Sequence, residues 1–268
     1  MKRLLVSLGL LFLTNTLCAQ EAERRFVIET SVGTMRGILY ADVPNHVNAF
    51  VKRAQKGDFN GTLFTRVISG FMIQGGSPDS RNAPAGARIG FGDKTTEILP
   101  EFRSHYFHKK GALAAPRQGS DVNPQKKSDM SQFFIIQGEV YSSGELDTLE
   151  LVKNVPIRRQ AMAKYYQPLK PTMDSLKTAD PVAYNRYATE INHKVDSFLR
   201  ATPGHLLFTA EQREAYTTIG GSQHLDGEYT IYGEVTEGLE VIDIIANQER
   251  DGYDRPRKDI ILRHVYVE

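Results

Sequence analysis

Cysteine is nearly absent: Cys18 is the single one in 268 residues. A chain so poor in thiols is not held by disulfides. If cleavage follows Ala19, the mature chain has no thiolate for catalysis or metal binding either. An excess of one charge is also missing. The 33 basic and 32 acidic residues are interspersed and leave a net charge of +1, so no basic face points to nucleic acid and no acidic tail to a cationic partner. Beyond the first twenty residues, nothing approaches the roughly 18 consecutive apolar residues of a membrane span. No integral membrane segment is therefore expected in the mature chain. About 40% apolar content still allows a packed core without metal or disulfide.

The start of the chain reads as a signal peptide, residues 1–19. Lys2 and Arg3 precede an apolar run from Leu4 to Leu13, and Leu17-Cys18-Ala19 precedes a polar start at Gln20. The expected product is exported and, in a bacterium, periplasmic. Lipoprotein anchoring through Cys18 is the alternative, disfavoured because Leu17 stands where that processing takes a small side chain.

Residues 26–40 alternate around Val32-Gly33, a hairpin signal. Pro44 opens a helix with Val47, Phe50, Val51 and Ala54 on one face, and Gly57 closes it. Short apolar runs at 62–68, 71–74, 111–115, 132–137, 229–235 and 260–267 have strand length. Many short strands with few helices predict a mainly β fold, a closed or nearly closed antiparallel barrel. Residues 139–221 differ, being charged and helix-favouring. Asp180-Pro181 starts a helix bearing Tyr187, Ile191, Val195 and Phe198, Thr209 and Gln212 have capping-box spacing, and Leu146, Leu149, Met162 and Leu169 offer further faces. The expected organisation is a β domain of 20–138 and 222–268 interrupted by a helical insertion.

Chemistry concentrates in the run Phe64-Thr65-Arg66-Val67-Ile68-Ser69-Gly70-Phe71-Met72-Ile73-Gln74-Gly75-Gly76. Strand alternation puts Phe64, Arg66 and Ile68 on one face, Thr65 and Val67 on the other, and Met72 with Gln74 after a bend at Gly70. Arg66 supplies a permanent cation and a fork of donors, and Gln74 a donor and an acceptor. Other constellations are weak. His105 and His108 have no third ligand nearby and read as a solvated loop. Gly75-Gly76 lacks the lysine of a phosphate loop, and Ser222 lies in no nucleophile elbow. No metal and no cofactor are expected.

At these residues the chain resembles the cyclophilin family, whose signature is F-x-R-x-I-x-G-F-M-x-Q-G-G. Ser131-Gln132-Phe133-Phe134-Ile135 and Leu225-Asp226-Gly227 with Tyr232-Gly233-Glu234-Val235 match two further family segments. The resemblance spans about 26–138 and 222–268. It implies an eight-stranded closed antiparallel barrel with two capping helices, and the activity of a bacterial, exported peptidyl-prolyl cis/trans isomerase acting on proline-containing polypeptides. Arg66 takes the catalytic position. Phe71, Met72, Phe134 and Leu225 line the proline pocket, Gln74 and Gln132 bind peptide backbone, and Ala115 and Tyr229 complete the substrate site. Such a reaction needs no nucleophile, because the barrier of about 18–20 kcal/mol lies in the partial double bond alone.

The chain departs from the family pattern at four places. Thr65 stands where many relatives have histidine, Tyr229 replaces a pocket-edge histidine, and His224 replaces the tryptophan that grips cyclosporin in the best-known eukaryotic members. Pro116 has no N–H, so a contact there must use its carbonyl. A monomer is expected. A second reading, from a different class, is a proline-peptide binding or chaperone module whose insertion engages clients.

Overall fold

The computed structural model describes residues 24–268, so the signal peptide and Cys18 lie outside the described residues. In chain order come β1 (Arg24–Thr30), β2 (Thr34–Leu39), α1 (Pro44–Lys56), β3 (Phe64–Ile68), β4 (Met72–Gly75), β5 (Glu97–Ile98), β6 (Ala112–Ala114), β7 (Ser128–Asp129) and β8 (Phe133–Ile136). The helices α2 (Ser143–Tyr165), α3 (Lys170–Ala179), α4 (Pro181–Ala201) and α5 (Ala210–Thr218) follow, then β9 (Ile231–Glu237), α6 (Leu239–Ala246) and β10 (Leu262–Val267). No helix of the described residues is long and apolar enough to cross a membrane.

Local signals set most of these elements. β1 and β2 form the hairpin expected around Val32-Gly33. Pro44 stands at the start of α1, and Gly57 ends it at φ 69°, a left-handed cap that glycine adopts without strain. Asp180 accepts N–H bonds from Val182 and Ala183 at the head of α4, and Thr209 with Gln212 completes a capping box at α5. One capping box escaped the sequence reading, that of Ser142 and Glu145, which starts α2.

Eight strands form one antiparallel sheet in the order β10-β1-β2-β9-β6-β8-β4-β3, while β5 and β7 pair separately. The sheet curls as a half-barrel but stays open, correcting the closed barrel expected from the sequence. β3 and β10 are its edges, and Leu63 and Ile261 make one isolated bridge across the gap. The reason lies in the partners of β3: beyond Phe64, whose N–H reaches Ile260, Val67 donates instead to the Asp254 carbonyl, and the Val67 carbonyl accepts from Arg250. The 250–255 loop thus occupies the edge that a closing ladder would need.

The concave face of the sheet holds the main core, which α1 covers with Val47, Phe50 and Ala54 and α6 with Val241, Ile242 and Ile245. Phe50 sits at its centre, its ring 5.4–6.1 Å from those of Phe26, Phe59, Phe133 and Tyr232. A second cluster on the opposite face contains Met72, Ala114, Phe134, Leu225 and Ile231. The helices between β8 and β9 carry their own cluster, Ala161, Met173, Ile191 and Val195, against which Leu169, Tyr187 and Phe198 pack. Leu146 is buried nearer the sheet, and Met162, expected on a buried face, is exposed. The helices join the sheet at a narrow neck, where Glu139 and Gly221 exchange backbone hydrogen bonds at 3.0 and 2.9 Å. A Cβ on Gly221 would collide with the His108 carbonyl and the Tyr216 ring, so only glycine fits.

His46, in the first turn of α1, is fully buried, with Nδ1 2.7 Å from Glu101 Oε2 and Nε2 2.9 Å from Ser128 Oγ. Burial holds its pKa below the ordinary 6.5, against the opposing pull of Glu101. Partial burial of Glu101 is outweighed by hydrogen bonds from His46 and Asn45, which hold its carboxyl below 4.5.

Two predictions arise from this core. Phe50→Ala should destabilise the fold by about 3–5 kcal/mol, read as a lower urea midpoint. For acid, the unfolded chain protonates His46 near 6.5 while the folded chain resists. Stability from this site is complete above that pH and is lost as pH falls below it, with further loss from Glu101 below 4.5. Urea midpoints should therefore fall from about pH 7.5 to about pH 5, and a rise would refute the assignment.

Candidate functional site

The register of the sheet assembles one transverse row on its outer face. Arg66 on β3 pairs with Gln74 on β4, Gln74 with Phe134 on β8, Phe134 with Ala114 on β6, and Ala114 with Ile231 on β9. Met72 lies one pleat away opposite Ile68 and Ile136. Residues from four segments distant in sequence thereby share one face.

The alternation expected along β3 is corrected at one point. Phe64 pairs with Gly75 and Arg66 with Gln74, so two residues of β3 match one step of β4. Thr65 is the extra residue of a β-bulge, buried beside Gly90. The bulge separates Phe64 from Arg66: Phe64 joins Val67 in the main core, while Arg66 and Ile68 turn to the other face.

A pocket of about 90 Å³ opens there, lined by Arg66, Phe71, Met72, Gln74, Phe134, Leu225 and Tyr229, with Pro116 and Arg117 at its edge. It is far smaller than the roughly 300–1,000 Å³ of sites for drug-sized ligands, and fits one small apolar group. Met72, Phe134 and Leu225 are buried, Phe71 and Tyr229 partly so. The Tyr229 ring stands edge-on to Phe134 at 5.7 Å. His224 covers Phe71 at 5.4 Å, and burial, then the nearby His108, pushes its pKa down, so an uncharged ring borders the slot.

The polar groups lie on one side. Arg66 Nε is 3.4 Å from Asp254 Oδ2, and Arg250 shares that carboxylate through Oδ1. With its side chain 44% exposed, Arg66 is oriented by Asp254 but held only weakly. Gln74 Nε2 donates to Gln132 Oε1 at 2.9 Å, and Gln132 Nε2 to Asp129 Oδ2 at 2.9 Å. These amides form a fixed ledge leading into a second groove of about 280 Å³, which Lys94, Glu97, Arg117 and Lys127 border.

Of the residues singled out in the sequence, Arg66, Phe71, Met72, Gln74, Phe134, Leu225 and Tyr229 meet at the pocket, and Gln132 stands on the ledge beside it. Ala115 does not line it. Its side chain is fully buried in the main core, and its N–H donates to the Thr230 carbonyl. The Pro116 carbonyl accepts from the Asp129 N–H at 2.8 Å, so it braces the ledge. His108 overturns the solvated-loop reading: its side chain is fully buried, bonded to Asp226 and parallel to the Phe134 ring. His105 remains exposed. Among the described residues no group of three metal-ligating side chains occurs.

Sequence reasoning missed Arg117. Its guanidinium lies 4.7 Å over the Tyr229 ring and is tied to Glu228 through Nε and Nη2. Its place directly after the strand-and-proline run Ala112-Leu113-Ala114-Ala115-Pro116 was the available signal.

The family described as cyclophilin type peptidyl-prolyl cis-trans isomerase/CLD matches residues 25–155 and 179–267. A Staphylococcus epidermidis protein named for peptidyl-prolyl cis-trans isomerase activity is 26% identical over 253 residues, covering 93% of this chain and 94% of that protein. A Streptococcus pyogenes protein, named for phosphatase and peptidyl-prolyl cis-trans isomerase activities, is 24% identical over 91% of this chain, which spans only 38% of its length. Among solved structures, a Cryptosporidium parvum cyclophilin type peptidyl-prolyl cis-trans isomerase superposes with a TM-score of 0.52 at 16% identity, covering 92% of this chain and 98% of its own, a likeness of fold. With the family matched over most of its length, the chain belongs to the cyclophilin-type peptidyl-prolyl cis-trans isomerases.

Proposed function

We propose that this chain accelerates rotation about X-Pro bonds in exported, folding polypeptides by electrostatic stabilisation of the twisted amide, with Arg66 as the catalytic group. The observation that carries this reading is the position of Arg66 at the mouth of the small apolar pocket, level with Gln74 and Phe134.

The chemistry follows from the amide itself. Planarity depends on delocalisation of the prolyl nitrogen lone pair into the carbonyl, and twisting localises that pair on nitrogen. A donor aimed at the nitrogen binds the twisted form more tightly than either planar one, which lowers the barrier. Arg66 remains charged at every working pH and can donate there. Phe71, Met72, Phe134 and Leu225 grip the ring, while Gln74 and Gln132 hold the peptide backbone, so that rotation occurs about one bond. Arg117, braced by Glu228 and Tyr229, adds a second cation at the pocket edge for a substrate carbonyl. Proline isomerisation takes tens to hundreds of seconds unaided and can limit folding.

The order of basic, apolar and small residues through residues 1–19 supports export, and hence clients that fold after crossing a membrane. The neck at Glu139 and Gly221, and the separate helical cluster beyond it, support treating 20–138 with 222–268 as the β domain and 139–221 as an insertion.

NMR exchange spectroscopy on an Ala-Pro peptide tests the function. Substoichiometric protein should speed cis/trans exchange, and Arg66→Ala should lower kcat by roughly a hundredfold or more, the scale of losing a donor used in the transition state. Wild-type exchange no faster than in buffer would refute the reading.

A further inference from the structure

Where the insertion meets the β domain, one of its tyrosines reaches toward the loop that bears Leu225. Tyr216 on α5 is fully buried in an aromatic cluster with Phe107, Phe208 and Tyr141, at ring distances of 5.5, 5.8 and 6.1 Å. Its hydroxyl reaches beyond that cluster to Asp226 Oδ2 at 2.6 Å. The other oxygen of the same carboxylate accepts two bonds from His108, from the backbone N–H at 2.8 Å and from ring Nδ1 at 2.9 Å. An ionised carboxylate only accepts, so Tyr216 donates and His108 carries its proton on Nδ1. Burial first, then the adjacent Asp226 charge, pushes the Tyr216 pKa far up, and the hydroxyl stays a donor at any working pH.

His108 passes the constraint on. Its ring is parallel to Phe134, 6.2 Å away and 3° from coplanar, and edge-on to Tyr229 at 6.5 Å. Asp226 itself directly follows Leu225. One carboxylate therefore fixes the loop bearing Leu225 and the ring behind Phe134, two walls of the pocket.

We infer that Tyr216 is a positioning residue for the proline pocket, holding the Phe134 and Leu225 walls through Asp226 and His108, so that the insertion tunes substrate binding from behind the site. This rests on the reading that the pocket takes a proline ring. Such walls touch substrate in ground and transition states alike, so loosening them weakens binding with little effect on turnover.

Tyr216→Phe removes only the hydroxyl and keeps the packed ring. The Kd of an Ala-Pro peptide, from chemical-shift titration, should rise roughly three- to tenfold, the net scale of one intramolecular hydrogen bond, with kcat within about twofold. Asp226→Asn should show the same rise, and the double variant should be no weaker than the worse single one. Met173→Ala, in the remote helical cluster, should leave Kd unchanged. A residue that only stabilised the fold would lower the active fraction, reducing apparent kcat at constant Kd. That result, an unchanged Kd in folded Tyr216→Phe, or additive effects in the double variant overturns the inference. Should Tyr216→Phe fail to fold, unchanged Kd in Asp226→Asn overturns it alone. A wild-type chain that binds the peptide without catalysing refutes the role of Arg66 and leaves this inference standing; one that does not bind refutes both.

Discussion

The bulge at Thr65 is the constraint on which the site depends. β3 must supply both an aromatic anchor for the core, Phe64, and a cation for the opposite face, Arg66, only two residues on. Regular alternation would put both on one side. One unpaired residue resolves the conflict, and the ladder resumes with Arg66 beside Gln74. A slip in register would return the guanidinium to an apolar interior, where it has no partner, so core packing and the site enforce one another.

From that row the rest follows by register. Gln74 and Phe134 are neighbours because β4 and β8 pair as they do, and Gln74 reaches the ledge of Gln132 and Asp129 through its side chain. The pocket is thus floored by rigid strands and walled by the less regular 224–229 segment. That segment is tied to Arg117 through Glu228 and to Tyr216 through Asp226, which gives the helices between β8 and β9 a physical connection to the pocket. The same loop economy explains the open barrel, since the 250–255 loop that orients Arg66 through Asp254 also takes the edge of β3.

What was legible in the sequence was mostly local. Capping residues announced α1, α4 and α5, alternation around Val32-Gly33 announced the hairpin, and short apolar runs announced most other strands. The seven residues that the signature run and its partner segments singled out line one pocket, an assignment that came through family resemblance rather than periodicity. What failed required partners far along the chain. The bulge depends on how β3 pairs with β4, and closure on what lies against β3 from the 250–255 loop. His108 looked solvated because Asp226, which satisfies it, lies 118 residues away. Ala115 offers its backbone to Thr230 and its methyl to the core, a distinction that no alanine reveals by itself.

The division of labour between a gripping slot and an electrostatic group is tested most directly by measuring peptide affinity and exchange together in Arg66→Ala. Exchange should fall toward the buffer rate while Kd for the Ala-Pro peptide stays within about twofold of wild type, since Arg66 acts on the twisted amide alone. Affinity lost in proportion to exchange, or exchange that persists without the guanidinium, would contradict it.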